Sequence, residues 1–165
     1  MRVYCSLHAG DVEYSLAKVS RVFTVALTLG CRGIRTDVYW KDLEPSPGRG
    51  DSGKAEFYRR YWEMACDAGL EPFPILSGAP DWAKTLLKNN GSATFLEAAE
   101  AYAASAMPLL PTTCRAGGEL HVQLWNELNH LPSLWVRSQV WSEPLYHVTT
   151  STRSDSSRRC GTTCS

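Results

Sequence analysis

The sequence predicts an α/β protein in which parallel strands alternate with helices. Two observations lead to this fold class. Short apolar, strand-like segments alternate with segments of helical period in the order βαβαβαβ, and no hairpin signal separates successive strands. Parallel strands joined by right-handed crossovers build either an open doubly wound sheet or part of a (β/α)₈ barrel. In both architectures, ligands bind where the carboxyl ends of the strands meet.

The individual elements follow from periodicity and from breaker residues. Glycines stand where the first two helices should end, at Gly30 and Gly69, and Pro111 should stop the third. Long loops are predicted for residues 44–51, which are rich in Gly and Pro, and for residues 78–91, which begin and end with glycine. The predicted strands are 3–8, 33–40, 72–77 and 119–125, and the predicted helices are 13–29, 54–68 and 94–110.

Composition divides the chain into two parts. Residues 1–146 are predicted to form four βα units at most. Residues 147–165 form a Ser/Thr/Arg-rich segment, and from position 149 onward it carries no aliphatic or aromatic side chain. Because such a segment cannot join a packed core, we expect a disordered tail.

Charge and hydropathy exclude several classes of partner. The chain has 17 Lys+Arg and 17 Asp+Glu, so no basic surplus favours nucleic acid. No run approaches the roughly 18 apolar residues of a membrane span. The N-terminus lacks the apolar core of a secretory signal, so we expect a cytoplasmic location by default.

No cofactor or metal is expected. No glycine-rich phosphate loop follows the first strand, and the histidines show no metal-binding spacing. Four of the six cysteines are predicted to be small core residues; they are Cys5, Cys31, Cys66 and Cys114. The pair Cys160 and Cys164 has the spacing of half a metal site or of a disulfide.

The chemistry is concentrated at the carboxyl ends of the strands, at His8 and in residues 37–40, 77–82 and, after the fourth strand, 125–130. Glu127 follows that strand directly and is preceded by Trp125 and Asn126. An aromatic face packs on the apolar face of a pyranose, an amide binds its hydroxyls, and a carboxyl can protonate a glycosidic oxygen. A Glu at this position can equally cap the turn that follows.

Four segments resemble a known enzyme family in order and spacing. They are Gly33-Ile34-Arg35-Thr36-Asp37-Val38-Tyr39-Trp40, Leu43-Glu44-Pro45 with Gly48, Pro74-Ile75-Leu76 with Pro80-Asp81-Trp82-Ala83, and Leu124-Trp125-Asn126-Glu127-Leu128-Asn129. Together they resemble the first half of the retaining (β/α)₈ glycoside hydrolases, nearest to the cellulase-like family 5 and the xylosidase or iduronidase-like family 39. The resemblance covers roughly residues 3–140. It therefore implies part of a (β/α)₈ barrel.

The resemblance also implies roles for individual residues. Glu127 would be the general acid/base in the hydrolysis of O-glycosidic bonds, Asn126 would bind the sugar 2-hydroxyl, and Arg35 would hold the nucleophile. Arg35 can instead be an ion-pair partner of Asp37. Further sugar-binding candidates at strand ends are His8, Trp40, Trp82, Trp125 and Trp135, whereas Trp62 has the helical spacing of a core residue.

Two departures from the family pattern shape the functional prediction. The usual Asn-Glu-Pro is Asn-Glu-Leu here, and the family's nucleophilic Glu belongs to a seventh strand that 165 residues do not reach. Asp37 and Glu44 are poor replacements, since Glu44 is expected to anchor its loop. The sequence thus predicts a truncated, inactive fragment of a glycoside hydrolase. The alternative is a non-catalytic sugar-binding module or pseudoenzyme.

The expected partners follow from this prediction. A carbohydrate is the expected ligand, and nucleic acid and membrane are not. The open sheet edges are expected to pair either with a C-terminal half-barrel or with a second copy of the chain.

Overall fold

The four predicted strands form one parallel sheet in chain order. The computed structural model describes residues 3–111, 114, 120–125 and 148–149. The strands are β1 (Tyr4–Ser6), β2 (Gly33–Tyr39), β3 (Glu71–Ser77) and β4 (His121–Leu124). Each pairs in parallel with the next along the chain, which confirms the predicted order and direction.

A fifth strand extends the sheet in the opposite direction. β5 (Val148–Thr149) pairs antiparallel with β4, with Thr149 opposite His121. The predicted disordered tail included these two residues, so that prediction is wrong for them. The other residues of the segment 147–165 lie outside the described part of the chain.

Helices connect the strands. They are α1 (Leu16–Thr28), α2 (Trp40–Leu43), α3 (Ser52–Asp67), α4 (Asp81–Asn90) and α5 (Ser92–Ala106). Side-chain oxygens of Ser15 and Asp51 accept hydrogen bonds from the backbone N–H groups of Lys18 and Lys54, and so fix the starts of α1 and α3. α4 corrects the long loop predicted for 78–91.

The core lies between the sheet and its helices. Ile34 and Val38 of β2 are fully buried there, and the hydroxyl of Thr36 lies 2.6 Å from that of Tyr61 on α3. Trp62 is also fully buried, which confirms its prediction as a core residue. Because side chains alternate along a strand, residues 35, 37 and 39 point to the opposite face of the sheet.

Two disulfides correct the interpretation of the cysteines. Cys5 of β1 is bonded to Cys31, and Cys66 of α3 is bonded to Cys114, with Cα–Cα distances of 6.1 and 5.1 Å. Both distances fall in the normal range for a disulfide. The sequence alone could not reveal this pairing, because residues 26 and 48 positions apart meet only after the sheet has formed. Cys160 and Cys164 lie outside the described residues.

Among the described residues, no helix is long and apolar enough to cross a membrane.

Candidate functional site

Polar side chains occupy the sheet face opposite the helices. Arg35, Asp37 and Tyr39 alternate along β2 and, with three further residues, form what we call the polar cluster. Hydrogen bonds link its members across β1, β2, β3 and β4. The other three members are His8, Ser77 and Gln123.

Asp37 holds one half of the cluster together. Its side chain is 3 % exposed, and its two oxygens have different partners. The Ser77 hydroxyl donates to Oδ1 over 2.7 Å, and Nδ1 of His8 lies 2.8 Å from Oδ2. Since β1, β2 and β3 are neighbours, this one carboxylate ties together the carboxyl ends of three strands.

Tyr39 belongs to the same group and is the last residue of β2. Its hydroxyl oxygen is 3.3 Å from Nδ1 of His8, and the ammonium of Lys41 lies 4.9 Å from the centre of its ring. Burial, reinforced by the negative charges of Asp37, Asp42 and Asp11, raises the pKa of Tyr39 above its usual value. The phenol is therefore neutral near pH 7 and can donate a hydrogen bond.

Arg35 reaches across the sheet to β4. Its Nη2 donates to Oε1 of Gln123 over 3.2 Å, and Nε2 of Gln123 donates to the backbone carbonyl of Trp125 over 2.8 Å. Asp37, which the sequence analysis considered as an ion-pair partner of Arg35, instead bonds His8 and Ser77.

Trp125 fixes the chain at the exit from β4. Its backbone N–H donates to the carbonyl of Leu76 over 2.7 Å, and its φ of 65° is left-handed. Such a φ is uncommon outside glycine and often marks functional sites. Asn126 and Glu127 follow it directly in the chain, but they lie outside the described residues, as does Trp135.

Trp40 and Trp82, two further candidates for sugar binding, belong to an aromatic group beside the exit from β4. Trp40 stacks on Tyr102 with ring centres 5.1 Å apart, and Trp82 meets its edge at 5.3 Å. Trp40 is fully buried, so no ring face is open to a sugar. This burial corrects its assignment as a sugar platform. Trp82 is only half-buried and keeps that candidacy.

Glu44 anchors this group, as the sequence analysis expected. Its two carboxylate oxygens accept hydrogen bonds from Nε1 of Trp40 over 2.9 Å and from the backbone N–H of Gly48 over 2.6 Å. Its carbonyl also accepts from Nε1 of Trp82 over 3.1 Å. The side chain is therefore committed to holding the loop after α2.

The polar cluster suits neutral hydrogen-bonding ligands. It offers a guanidinium, an imidazole, a phenol and an amide. No group of three or more His, Cys, Asp or Glu side chains in the described part of the chain could hold a metal ion. Ser77, Tyr39 and Gln123 were not predicted as site residues. Their signal was available: each is a polar residue at an alternate position of a strand whose other residues are largely apolar.

Comparison with known proteins gives structural neighbours only. No protein-family model matches the chain, and no curated protein is similar to it. Among solved structures, an exo-beta-1,4-mannosidase from Opitutaceae bacterium strain TAV5 matches 81% of this chain with a TM-score of 0.66 at 23% identity. A beta-glycosidase from Pyrococcus horikoshii matches 69% of it with a TM-score of 0.55 at 21% identity.

A third structure adds a bound sugar. It is a GH5_18 protein variant from Bifidobacterium longum subsp. longum in complex with Manb1-4GlcNAc, and it matches 79% of this chain with a TM-score of 0.56 at 12% identity. The chain spans 26%, 25% and 34% of the lengths of these three structures. Its fold is therefore that of part of a (β/α)₈ barrel, like the corresponding parts of these three structures.

Proposed function

We propose that this chain forms the first half of the substrate site of a retaining glycoside hydrolase, with Glu127 as the general acid/base. The observation that carries the proposal is the anchored exit of β4. Trp125 is hydrogen bonded through its backbone to both Leu76 and Gln123, at the strand ends where the polar cluster lies. Asn126 and Glu127 are the next two residues. The sequence resemblance to families 5 and 39 and the glycosidase folds of the structural neighbours support it.

Each group would have a definite task. The Glu127 carboxyl would protonate the glycosidic oxygen as the bond breaks, and Asn126 would bind the sugar 2-hydroxyl. Arg35, which donates to Gln123, would bind the carboxylate nucleophile through its guanidinium. The half-buried rings of Trp82 and Trp125 would pack against the pyranose.

Retention requires a second carboxylate about 5 to 5.5 Å from the first. Asp37 does not suit this task, because it is buried and both of its oxygens are engaged by His8 and Ser77. We therefore propose that the nucleophile comes from a further segment or chain that completes the barrel. Without it, the chain is expected to be inactive.

The test compares leaving groups in the chain extended along its own reading frame. Glu127→Gln should slow hydrolysis of alkyl glycosides by about 10²-fold or more, because general acid catalysis is lost. Aryl glycosides with a leaving group of low pKa should lose much less. Glu97→Gln, on the exposed side of α5, is the matched control and should change neither rate. Equal hydrolysis of alkyl glycosides by Glu127→Gln and the parent protein would refute the catalytic assignment.

A non-catalytic sugar-binding module is the second candidate. It is favoured by the engagement of Asp37, the acidic member of the polar cluster, in structural hydrogen bonds. Saturation-transfer NMR of the 165-residue chain with mannobiose, cellobiose and xylobiose separates the two candidates. Binding by the chain together with no hydrolysis by the extended protein would establish the module. Hydrolysis by the extended protein would exclude it.

A further inference from the structure

The contacts of Asp37 determine which nitrogen of His8 carries the proton. A carboxylate can only accept hydrogen bonds, and Oδ2 of Asp37 lies 2.8 Å from Nδ1 of His8. Nδ1 must therefore donate. In a neutral imidazole, this leaves Nε2 as an acceptor.

The His8 side chain is partly open to a ligand. It is 45 % exposed, whereas the side chain of Asp37 is almost completely buried. Within the described part of the chain, Nδ1 is the His8 ring nitrogen that makes hydrogen-bond contacts, with Asp37 and Tyr39. The half-exposed ring thus combines a donor atom that Asp37 holds with an acceptor atom that has no hydrogen-bond partner among the described residues.

Tyr39 completes the arrangement with a donor. Because the single hydrogen of Nδ1 is donated to Asp37 and Nδ1 then has no lone pair, the Tyr39 hydroxyl at 3.3 Å cannot donate to it. The phenol proton of Tyr39 is then available for another group. His8 and Tyr39 therefore offer one acceptor and one donor side by side, which suits sugar hydroxyls.

We infer that Asp37 is a positioning residue that holds His8 in the Nδ1–H form, so that Nε2 accepts a hydrogen bond from a hydroxyl of a neutral sugar. The inference deepens the proposed function and rests on it. It also narrows the ligand group expected at His8, since an unprotonated Nε2 attracts a hydroxyl donor and repels a carboxylate.

The test determines directly which ring nitrogen of His8 carries the proton. Long-range ¹H–¹⁵N NMR of the histidine-labelled chain, at about pH 8 where an ordinary imidazole is neutral, distinguishes protonated from unprotonated ring nitrogens. His8→Gln identifies the His8 signals among the four histidines. We expect protonated Nδ1 and unprotonated Nε2 in the parent chain. A proton on Nε2 would overturn the inference, and the proton is located in the parent chain itself.

Two substitutions separate positioning from packing. Asp37→Asn keeps the size of the side chain but presents an amide, so the Nδ1–H population of His8 should fall. Ser77→Ala removes the neighbouring hydrogen bond to Asp37 and leaves the carboxylate, so the protonation pattern should be retained. An unchanged pattern in Asp37→Asn, or the same change in both variants, would contradict the positioning role.

Sugar binding tests the ligand. In titrations with mannobiose, cellobiose and xylobiose, Asp37→Asn should weaken the binding of whichever sugar binds by about fivefold or more, the value of one hydrogen bond. Glucuronic acid should bind more weakly than glucose, and the reverse order would overturn the neutral-sugar assignment. If the parent chain binds none of these sugars, the proposed function fails and the acceptor role of His8 fails with it. The NMR result still decides whether Asp37 fixes the ring.

Discussion

Gly78 sets the contact between the end of β3 and the ring of Tyr39. Its φ is +69°, and a Cβ placed on it would lie 2.4 Å from Cδ1 of Tyr39. Its carbonyl also accepts a hydrogen bond from the backbone N–H of Lys41 over 3.0 Å. A glycine is therefore required twice here, once for the backbone conformation and once for the space beside a member of the polar cluster.

Gly78→Ala should lower the free energy of unfolding by more than the roughly 1 kcal/mol of a left-handed alanine, because the methyl group must also displace Tyr39. Gly69→Ala is the matched control. Gly69 has a φ of +82°, but no atom of the described residues lies within 4 Å of the place that its methyl group would take, so only the backbone cost applies. Urea unfolding of both variants measures the difference. Equal losses of stability in the two variants would show that the Tyr39 ring moves aside without a measurable cost in free energy.

At the scale of single residues, the sequence predicted positions better than contacts. The end of the first strand placed His8 beside Asp37, whereas Arg35 is the third of the seven residues of β2 and lies within the strand rather than at its end. The partners were not predictable. Whether Asp37 bonds Arg35 or His8 depends on the register of three strands, which a single sequence does not determine.

At the scale of elements, apolar periodicity was a good guide where residues typical of loops did not outweigh it. α1 and α3 each bury a row of apolar residues, and the sequence predicted both. α4 was missed although Trp82, Ala83, Leu86 and Leu87 recur at helical spacing, because the glycines and the proline at the two ends of the segment indicated a loop. Its remaining signals were Pro80 before the first turn, Asp81 within it and Lys88 in the last turn.

Helix α3 makes the fold sensitive to alkaline pH through its tyrosines. Burial raises the pKa values of Tyr58 and Tyr61 well above that of an exposed tyrosine, although the bond to Thr36 lowers that of Tyr61 slightly. In the unfolded chain these groups ionise near pH 10. Their stabilising contribution is therefore complete below about pH 10 and is lost as pH rises toward the folded-state values.

Tyr61→Phe should make the decline of unfolding free energy above about pH 10 shallower by roughly 1.4 kcal/mol per pH unit, the value for one proton. Thr36→Val is the control, because it breaks the same 2.6 Å hydrogen bond but keeps the titrating tyrosine. Denaturant unfolding at several pH values measures both slopes. The expectation fails if Thr36→Val makes the decline of unfolding free energy with pH as shallow as Tyr61→Phe does.

At the scale of the whole molecule, the exposed surface suggests association. Among the described strands, β1 pairs only with β2, so its other edge is available for pairing. The sheet face opposite the helices is polar, because Arg35, Asp37 and Gln123 lie on it. Four of the exposed large apolar side chains lie elsewhere, on α1, at its C-terminal end and just before β1: Val3, Val25, Leu27 and Leu29.

The chain should therefore self-associate at micromolar concentration through β1 and the adjacent flank of α1. Leu29 follows Val25 by one helical turn and is 73 % exposed, the highest value among the exposed large apolar residues. Burying one leucine contributes about 1.5 to 3 kcal/mol, so Leu29→Lys should weaken association by about tenfold or more. Leu96→Lys on α5, at a position 43 % exposed, is the matched control and should have little effect. Sedimentation equilibrium over a range of concentrations gives the association constants. A parent chain that stays monomeric throughout, or equal weakening by both lysine variants, would show that β1 and α1 do not form the interface.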